Sequence, residues 1–419
     1  MVAHNSPGKG HAPQPAAMSV SDSAMDMLTL VATETTISRA QLARSLKLAP
    51  STVSLRVNEL MEAGLVVETG EGSSTGGRKP RSLQLNHRAG HVLVADLGSR
   101  HVRVGMMDLA GTLLATESAA VDVATGPEAT LTAIAAMMDS LAAGNSSGLL
   151  RGVGLALPGP VDFAAGWVDS PARMPGWHRF PIRDWMSAHF NSPVFCDNDA
   201  NVMALAEHAL RQNSEDHPKK PVNTLFIKAG AAIGCGLVAN GEVYRGSTGT
   251  AGDITHVRVK AAGERACTCG NFGCLETIAS GSAVVADLVA KGVEVSNLTE
   301  VVALANMADA LATTSVRTAG RMLGEMLCSI VNFANPDHVI LGGALSQVEP
   351  YVAAIRSQLY EGCHPLATKN LTIEKSIAGP HAGMIGVGLL SLRELLRTNV
   401  LVPQLDEPGH QPAATPSRG

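Results

Sequence analysis

The chain has 419 residues, enough for two or three domains, and 45% hydrophobic against 16% charged residues give it the material for a sizeable core. A formal net charge of −5 argues against a protein that coats nucleic acid generally. No apolar stretch is long enough for a bilayer, and the opening residues, rich in Pro, Gly and His, carry no apolar signal core. A soluble cytoplasmic protein without membrane association is therefore expected, with residues 1–18 as a disordered leader and 401–419 as a disordered tail.

From Ser19 the pattern is helical. Met25, Leu28, Leu30 and Val31 form an apolar stripe, with Ser21 or Asp22 as the cap. Ser38 can cap a second helix, RAQLARSL, whose Leu42 and Leu46 point inward. Pro50 suits the first position of a third helix that buries Val53, Val57, Leu60 and Met61 and ends at Gly64. Its open face then carries Ser51, Thr52, Ser54, Leu55, Arg56 and Asn58. Strands follow at Leu65–Val67 and Ser82–Leu85, and the glycine-rich loop between them closes on Arg78, Lys79 and Arg81. Three helices and a two-stranded wing make a winged helix-turn-helix over residues 19–88. Such a module sets the third helix in the major groove and the wing on phosphates or the minor groove. Local charge agrees: Arg39, Arg44, Lys47, Arg56, Arg78, Lys79, Arg81 and Arg88 stand against Glu59, Glu62, Glu68 and Glu71. A small three-helix interaction domain with a solvated basic loop is the plainer alternative.

Residues 89–400 read as an α/β body. VLVADLG, HVRVGMMDL and GTLLATES are strands, a helix covers Pro127–Ala143, and GVGLALPGPVD is another strand. After a helix at Ala200–Arg211, TLFIKAG and AIGCGLVANGEV open a second unit of the same kind. Two β-β-β-α halves flanking a cleft suggest an actin-like ATPase or sugar-kinase architecture. In the second half stands His256-x10-Cys267-x-Cys269-x4-Cys274. Three thiols and one imidazole suit a tetrahedral structural zinc ion, and a cytosolic cluster of this kind more often binds metal than forms disulfides. Buried or disulfide-bonded cysteines are the alternative.

The stretches ADLGSRHVRVGMMDLAG, VGLALPGPVD, MPGW, VFCDNDANVMALAE, GCGLVANGEVYRGSTGTAGDITH, CTCGNFGCLE and NPDHVILGGAL together resemble the ROK family of repressors, open reading frames and kinases. The resemblance implies a two-lobed sugar-binding body. It also implies that members with an added winged helix are transcriptional repressors of carbohydrate genes, responding to xylose, glucose, N-acetylglucosamine or a sugar phosphate. By resemblance, Asn198, Asp199, Asp253, His256 and Glu276 hold the sugar, and Asp199 stands where family kinases place the general base. An Asn-Asp pair before a helix is also an ordinary cap.

Two departures bear on the activity. Where the kinases resemble Asp-x-Gly-Gly-Thr-Lys this chain has Asp96-Leu97-Gly98-Ser99-Arg100-His101, and where they resemble Gly-Thr-Gly-Ile-Gly it has Gly230-Ala231-Ala232-Ile233-Gly234. Phosphoryl transfer needs phosphate-cradling loops, so a regulator with a vestigial base is expected rather than an enzyme. Asp253 and Thr255 replace the family's usual Glu and Gly. The expected partners are operator DNA, a sugar effector and further copies of the chain, as a homodimer or tetramer. A ROK kinase phosphorylating a hexose with ATP, or a DNA-binding protein indifferent to sugar, are the competing readings.

Overall fold

The computed structural model describes residues 20–33, 37–69, 81–145, 148–217 and 219–398. The expected leader and tail, and wing residues Arg78 and Lys79, lie outside these. The chain divides into two compact units, the second running from His87 to Leu395.

The first unit contains α1 (Val20–Thr33), β1 (Ile37–Ser38), α2 (Arg39–Leu46), α3 (Pro50–Glu62), β2 (Val66–Thr69) and β3 (Ser82–Leu85). Ser38 and Gln41 cap α2 reciprocally: the Ser38 side chain accepts from the Gln41 N–H while the Gln41 side chain accepts from the Ser38 N–H. Lys47 closes α2 in the left-handed region, and Pro50 opens α3, whose N-cap residue Ala49 offers no side-chain bond. Met27, Leu28, Val31, Leu42, Val53, Val57, Leu60 and Leu83 fill the core.

Three details differ from the sequence expectation. Helix α1 begins at Val20, so Ser21 and Asp22 lie inside it rather than ahead of it. The sheet has three strands, in the order β1-β3-β2, because Ile37 and Ser38 pair with Leu83 and Ser82. Arg56 is not on the open face. It is 9% exposed, and its guanidinium donates to both oxygens of Glu59 at 2.7 Å.

The second unit opens with β4 (Gly90–Leu97), β5 (His101–Asp108), β6 (Leu113–Ala120), α4 (Pro127–Ala143), β7 (Leu149–Leu157), β8 (Val161–Asp162), β9 (Trp167–Val168), α5 (Ile182–Phe190), β10 (Val194–Asn198) and α6 (Asp199–Asn213). It continues with β11 (Asn223–Ala229), β12 (Ile233–Ala239), β13 (Glu242–Val243), α7 (Glu276–Ala279), α8 (Gly281–Ala290), α9 (Leu298–Asn306), α10 (Ala310–Ala334), β14 (His338–Gly342), α11 (Glu349–Gly362), α12 (Pro365–Thr368), β15 (Thr372–Lys375) and α13 (Ala382–Arg397).

Its two sheets repeat one plan. In β10-β7-β4-β5-β6 the hairpin-linked strands β4, β5 and β6 are antiparallel, and β7 and β10 add in parallel. In β13-β12-β11-β14-β15 the strands β11, β12 and β13 are antiparallel, and β14 and β15 add in parallel. Each sheet has its own apolar core, one around Val104, Leu131, Val153 and Trp177, the other around Ile227, Leu323, Val339 and Ile355. All eight residues of β4 are buried, which is why VLVADLG reads as a continuous apolar run.

The lobes exchange a helix. Helix α6 ends the first lobe in sequence, yet a β-carbon at Gly236 of the second sheet would lie 2.3 Å from the Ala200 carbonyl oxygen. Helix α13 ends the second lobe, yet a β-carbon at Gly388 would meet the Met107 sulfur of the first sheet at 2.3 Å. The two helices touch where a β-carbon at Gly386 would lie 1.8 Å from the carbonyl oxygen of Val202. Further along α6, the fully buried Arg211 pairs with Glu207 and reaches Glu374 at 3.0 Å, while Glu207 accepts from the backbone of Ile377 and Ala378. That network fastens the segment leaving β15 to α6. The Gly386→Ala substitution forces two backbones apart and should lower the stability of the second unit by about 3 kcal/mol. Its urea midpoint is the measurement, and an unchanged midpoint would contradict the close approach.

Candidate functional site

A cleft of about 850 Å³ lies between the two sheets of the second unit, lined by Asp96, Asn198, Asp199, Lys228, Asp253, His256 and Glu276 among others. All five expected sugar residues thus face one space. They are not equally free. Asn198 caps α6, accepting from the N–H of Ala200 at 3.0 Å and of Asn201 at 3.2 Å, and its amide donates to the Gly159 carbonyl at 2.8 Å. One amide hydrogen remains for a ligand. Asp199, 4% exposed, starts α6 and is ion-paired with Lys228. Asp253 is exposed to the cleft. Glu276 is 3% exposed: one oxygen accepts from Arg173 at 2.8 Å and the other from the Ile233 N–H at 3.1 Å. Burial pushes the Glu276 carboxyl up, opposed by the Ile233 N–H and Arg173. Thr255 donates to the Ile233 carbonyl at 2.7 Å, tying the segment before His256 to the same loop.

The ligand atoms of His256, Cys267, Cys269 and Cys274 lie within 4.8 Å of one another, and all four cysteines outside this cluster are likewise free thiols. Cys269 and Cys274 sulfurs are 3.7 Å apart, and Cys267 sulfur is 3.5 Å from His256 Nδ1. Zinc bonds of about 2.3 Å to sulfur and about 2.0 Å to nitrogen imply tetrahedron edges of about 3.8 and about 3.6 Å. The donor set therefore fits a single zinc ion, and it does not sit at disulfide distance. The knuckle is held by backbone: Cys267 N–H donates to Asn271 at 2.8 Å, Val259 to Gly273 at 2.9 Å and Leu275 to Val257 at 2.9 Å.

The two loops that differ from the kinase pattern are filled from within. In the β4–β5 turn the His101 ring covers Gly98, where a β-carbon would be 2.4 Å from His101 Cε1, and His101 Nε2 is 2.8 Å from the Arg103 guanidinium. Burial, with Arg103 and Lys228 nearby, lowers the His101 imidazole. In the second loop the Gly230 N–H donates to Ala232 and the Ile233 N–H to Glu276, so neither points at a ligand. Asp96 is pushed up to about 6 by burial, with Lys228 acting against it. Burial lowers the Lys228 ammonium, but Asp199 and Asp96 outweigh it and hold the group above its ordinary value.

Sequence reasoning missed Lys228, Arg173 and the pair Arg245–Asp197, which is 2.7 Å long. Lys228 did carry a signal, a lone cation inside the apolar run TLFIKAG. Arg173 and Arg245 carried none, since their partners lie far along the chain.

On the first unit, Ser51 and Asn58 are exposed and Thr52 and Ser54 half-buried along α3, and the apolar Leu55 is 54% exposed among them. Arg39 reaches across from α2, donating to Asn58 at 2.9 Å, to the Ser54 carbonyl at 3.2 Å and to Glu68 at 2.9 Å. Arg81, 68% exposed at its side chain, also pairs with Glu68. Arg81 holds the Glu68 carboxyl below the usual range against the opposing effect of burial, and Arg39 adds to the lowering. No helix of the described residues is long and apolar enough to cross a membrane.

Comparison with known proteins follows this division. The ROK family model matches residues 92–394, and a winged helix-turn-helix DNA-binding model matches residues 26–67. The chain is 30% identical to the xylose repressor of Bacillus spizizenii over 86% of this chain and 92% of that one. It is also 30% identical to the DNA-binding transcriptional dual regulator NagC of Escherichia coli (strain K12), over 86% of this chain and 89% of that one. A crystal structure of a ROK family transcriptional regulator, a homolog of the E. coli MLC protein, superposes with a TM-score of 0.76 at 26% identity, covering 91% of this chain and 99% of that one. The chain belongs to the ROK family, and to its regulator branch, in which a winged helix-turn-helix precedes the two-lobed body.

Proposed function

We propose that this chain is a sugar-responsive repressor of carbohydrate uptake or metabolism genes, its hold on operator DNA modulated by a sugar bound among Asn198, Asp199, Asp253, His256 and Glu276. One observation carries the reading. The acids and the knuckle converge on the cleft, while several groups that phosphoryl transfer would use are engaged by the protein itself: Asp199 by Lys228, Gly98 by the His101 ring, and the Ile233 N–H by Glu276. A carboxylate held by an ammonium is a poor general base, and N–H groups already bonded cannot cradle phosphate. Such a cleft binds without transferring phosphate. Carboxylates and an amide suit sugar hydroxyls, each of which donates and accepts.

His256, Cys267, Cys269 and Cys274 are assigned to one zinc ion, which braces the loop from His256 to Glu276. In the first unit, Ser51, Thr52, Ser54 and Asn58 offer hydrogen bonds to base edges, and Leu55 offers an apolar contact for a thymine methyl. Arg78, Lys79 and Arg81 are assigned to phosphate. Two copies of the chain, as a dimer or within a tetramer, would read half-sites about one helical turn apart or a multiple of it. The sugar acts through its different affinity for the DNA-competent and DNA-released states. The effector chemistry is a neutral sugar or its phosphate, with xylose and N-acetylglucosamine suggested by the relatives' names.

The deciding experiment titrates the purified chain onto its own upstream duplex and then adds free and phosphorylated sugars. Tight binding relieved by one sugar is expected; brisk ATP turnover with a hexose and no hold on the duplex would overturn the reading. Cys269→Ala should lower bound zinc to below one equivalent and weaken the sugar response at least tenfold, measured by metal analysis and the same titration. Replacing Arg78, Lys79 and Arg81 together by Ala should reduce the slope of log affinity against log salt by about three. An unaltered slope would remove the wing from the interface.

A further inference from the structure

Ion pairs join the two lobes at Lys228–Asp199, Arg245–Asp197 and Arg173–Glu276, and the last two differ in kind. Arg245, which follows β13, puts Nε at 2.9 Å and a terminal nitrogen at 2.7 Å from Asp197 Oδ2 on β10, and its guanidinium lies 4.2 Å over the Phe163 ring. The side chains are 21% and 1% exposed. This pair is shielded, and neither residue lines the cleft. Arg173 and Glu276 form the other. Arg173 lies on the segment between β9 and α5, which is fixed to the first lobe by buried Trp177, whose indole donates to the Val123 carbonyl at 2.9 Å, and by the Arg179 N–H on Val168. From that rigid base the guanidinium reaches Glu276 at 2.8 Å and Thr268, between two knuckle cysteines, at 3.4 Å. Its side chain is 40% exposed, whereas that of Glu276 is 4% exposed. The guanidinium thus stands between the carboxylate and the open cleft. The other Glu276 oxygen is turned to the Ile233 N–H.

A hydroxyl that approaches Glu276 from the cleft meets that guanidinium first. We propose that Arg173 is an internal competitor for Glu276, a residue that sets the affinity and selectivity of the pocket and whose displacement by a neutral sugar unties the first-lobe loop from the metal knuckle. This rests on the sugar reading given above. Arg173 offers Glu276 an opposite charge as well as a hydrogen bond, whereas a hydroxyl offers the hydrogen bond alone. A ligand offering one poorly placed hydroxyl therefore loses to Arg173, and only a sugar that also engages Asp199, Asp253 or the second Asn198 amide hydrogen wins. Selectivity arises because the competitor removes weak ligands from the range that binds.

The test uses the full chain with its zinc content verified, as wild type, Arg173→Ala and Arg173→Gln. Gln keeps a neutral donor should Ala impair folding. Calorimetric titration with D-xylose, D-glucose and N-acetylglucosamine should show dissociation constants falling about tenfold in the variants, with the spread among the three sugars narrowing. Hydrogen exchange without any sugar should quicken in residues 169–174 and 268–276 of the variants. Weaker or unchanged sugar binding in both variants overturns the competitor role, because Arg173 would then be a contact or a bystander. Unchanged exchange overturns the tie. If the wild type binds none of the sugars, free or phosphorylated, the sugar reading fails, and the exchange comparison alone decides whether Arg173 ties loop to knuckle.

Discussion

Three carboxylates that line the cleft expose almost none of their surface, Asp96 and Asp199 being 4% exposed and Glu276 3%, and Asp197 beside them on β10 is 0% exposed. A buried charge without a partner is expensive, so each needs a cation or a proton. Arg245, Lys228 and Arg173 serve three of them, and Asp96, with Arg103 at 3.9 Å and the charge of Lys228 nearby, meets the demand in part by the raised affinity of its carboxyl for a proton. Much of the cleft's architecture answers this one constraint. The cations arrive on the turn after β13, the end of β11 and the β9–α5 segment, so neutralising the acids also fixes those elements to one another.

The same requirement accounts for the state of the cleft's acids. A buried carboxylate is compatible with the fold only if something compensates it. Lys228 does so for Asp199 within the protein, and the second loop's Ile233 N–H does so for one oxygen of Glu276. The knuckle belongs to this balance too. It places Thr268 and Glu276 beside Arg173, so an ordered His/Cys knuckle and an ordered ion pair support each other.

Much of this was legible beforehand where the signal is local. Ser38 with Gln41 three residues on is a capping box readable from spacing alone, and so is Pro50 at a helix start. The cysteine spacing led to a cluster whose distances match a tetrahedron, and the repeated strand pattern led to two sheets of one plan. Strand β1 was not legible, because two residues carry no period. Arg56 was misplaced because helical periodicity assigns a direction to the Cβ, not to the end of a long side chain that can bend back to Glu59. Arg173 and Glu276 are 103 residues apart, and no pattern along a chain reports that two such residues share a hydrogen bond. The occupied state of the candidate sugar residues was therefore the part that only three dimensions could supply.

The exchanged helices have a consequence for how the molecule comes into being. The first sheet receives α13 on one face, and α13 is the last helix of the body to leave the ribosome; the second sheet is matched with α6, made just ahead of its first strand. During synthesis the first lobe must therefore stand with an apolar face uncovered while some 180 residues are still being added, roughly ten to forty seconds at ordinary elongation rates. Neither lobe is an autonomous folding unit in the sense that a bead on a string is. Completion of both is a single late event, and a nascent chain stalled before residue 382 is a natural client for chaperones.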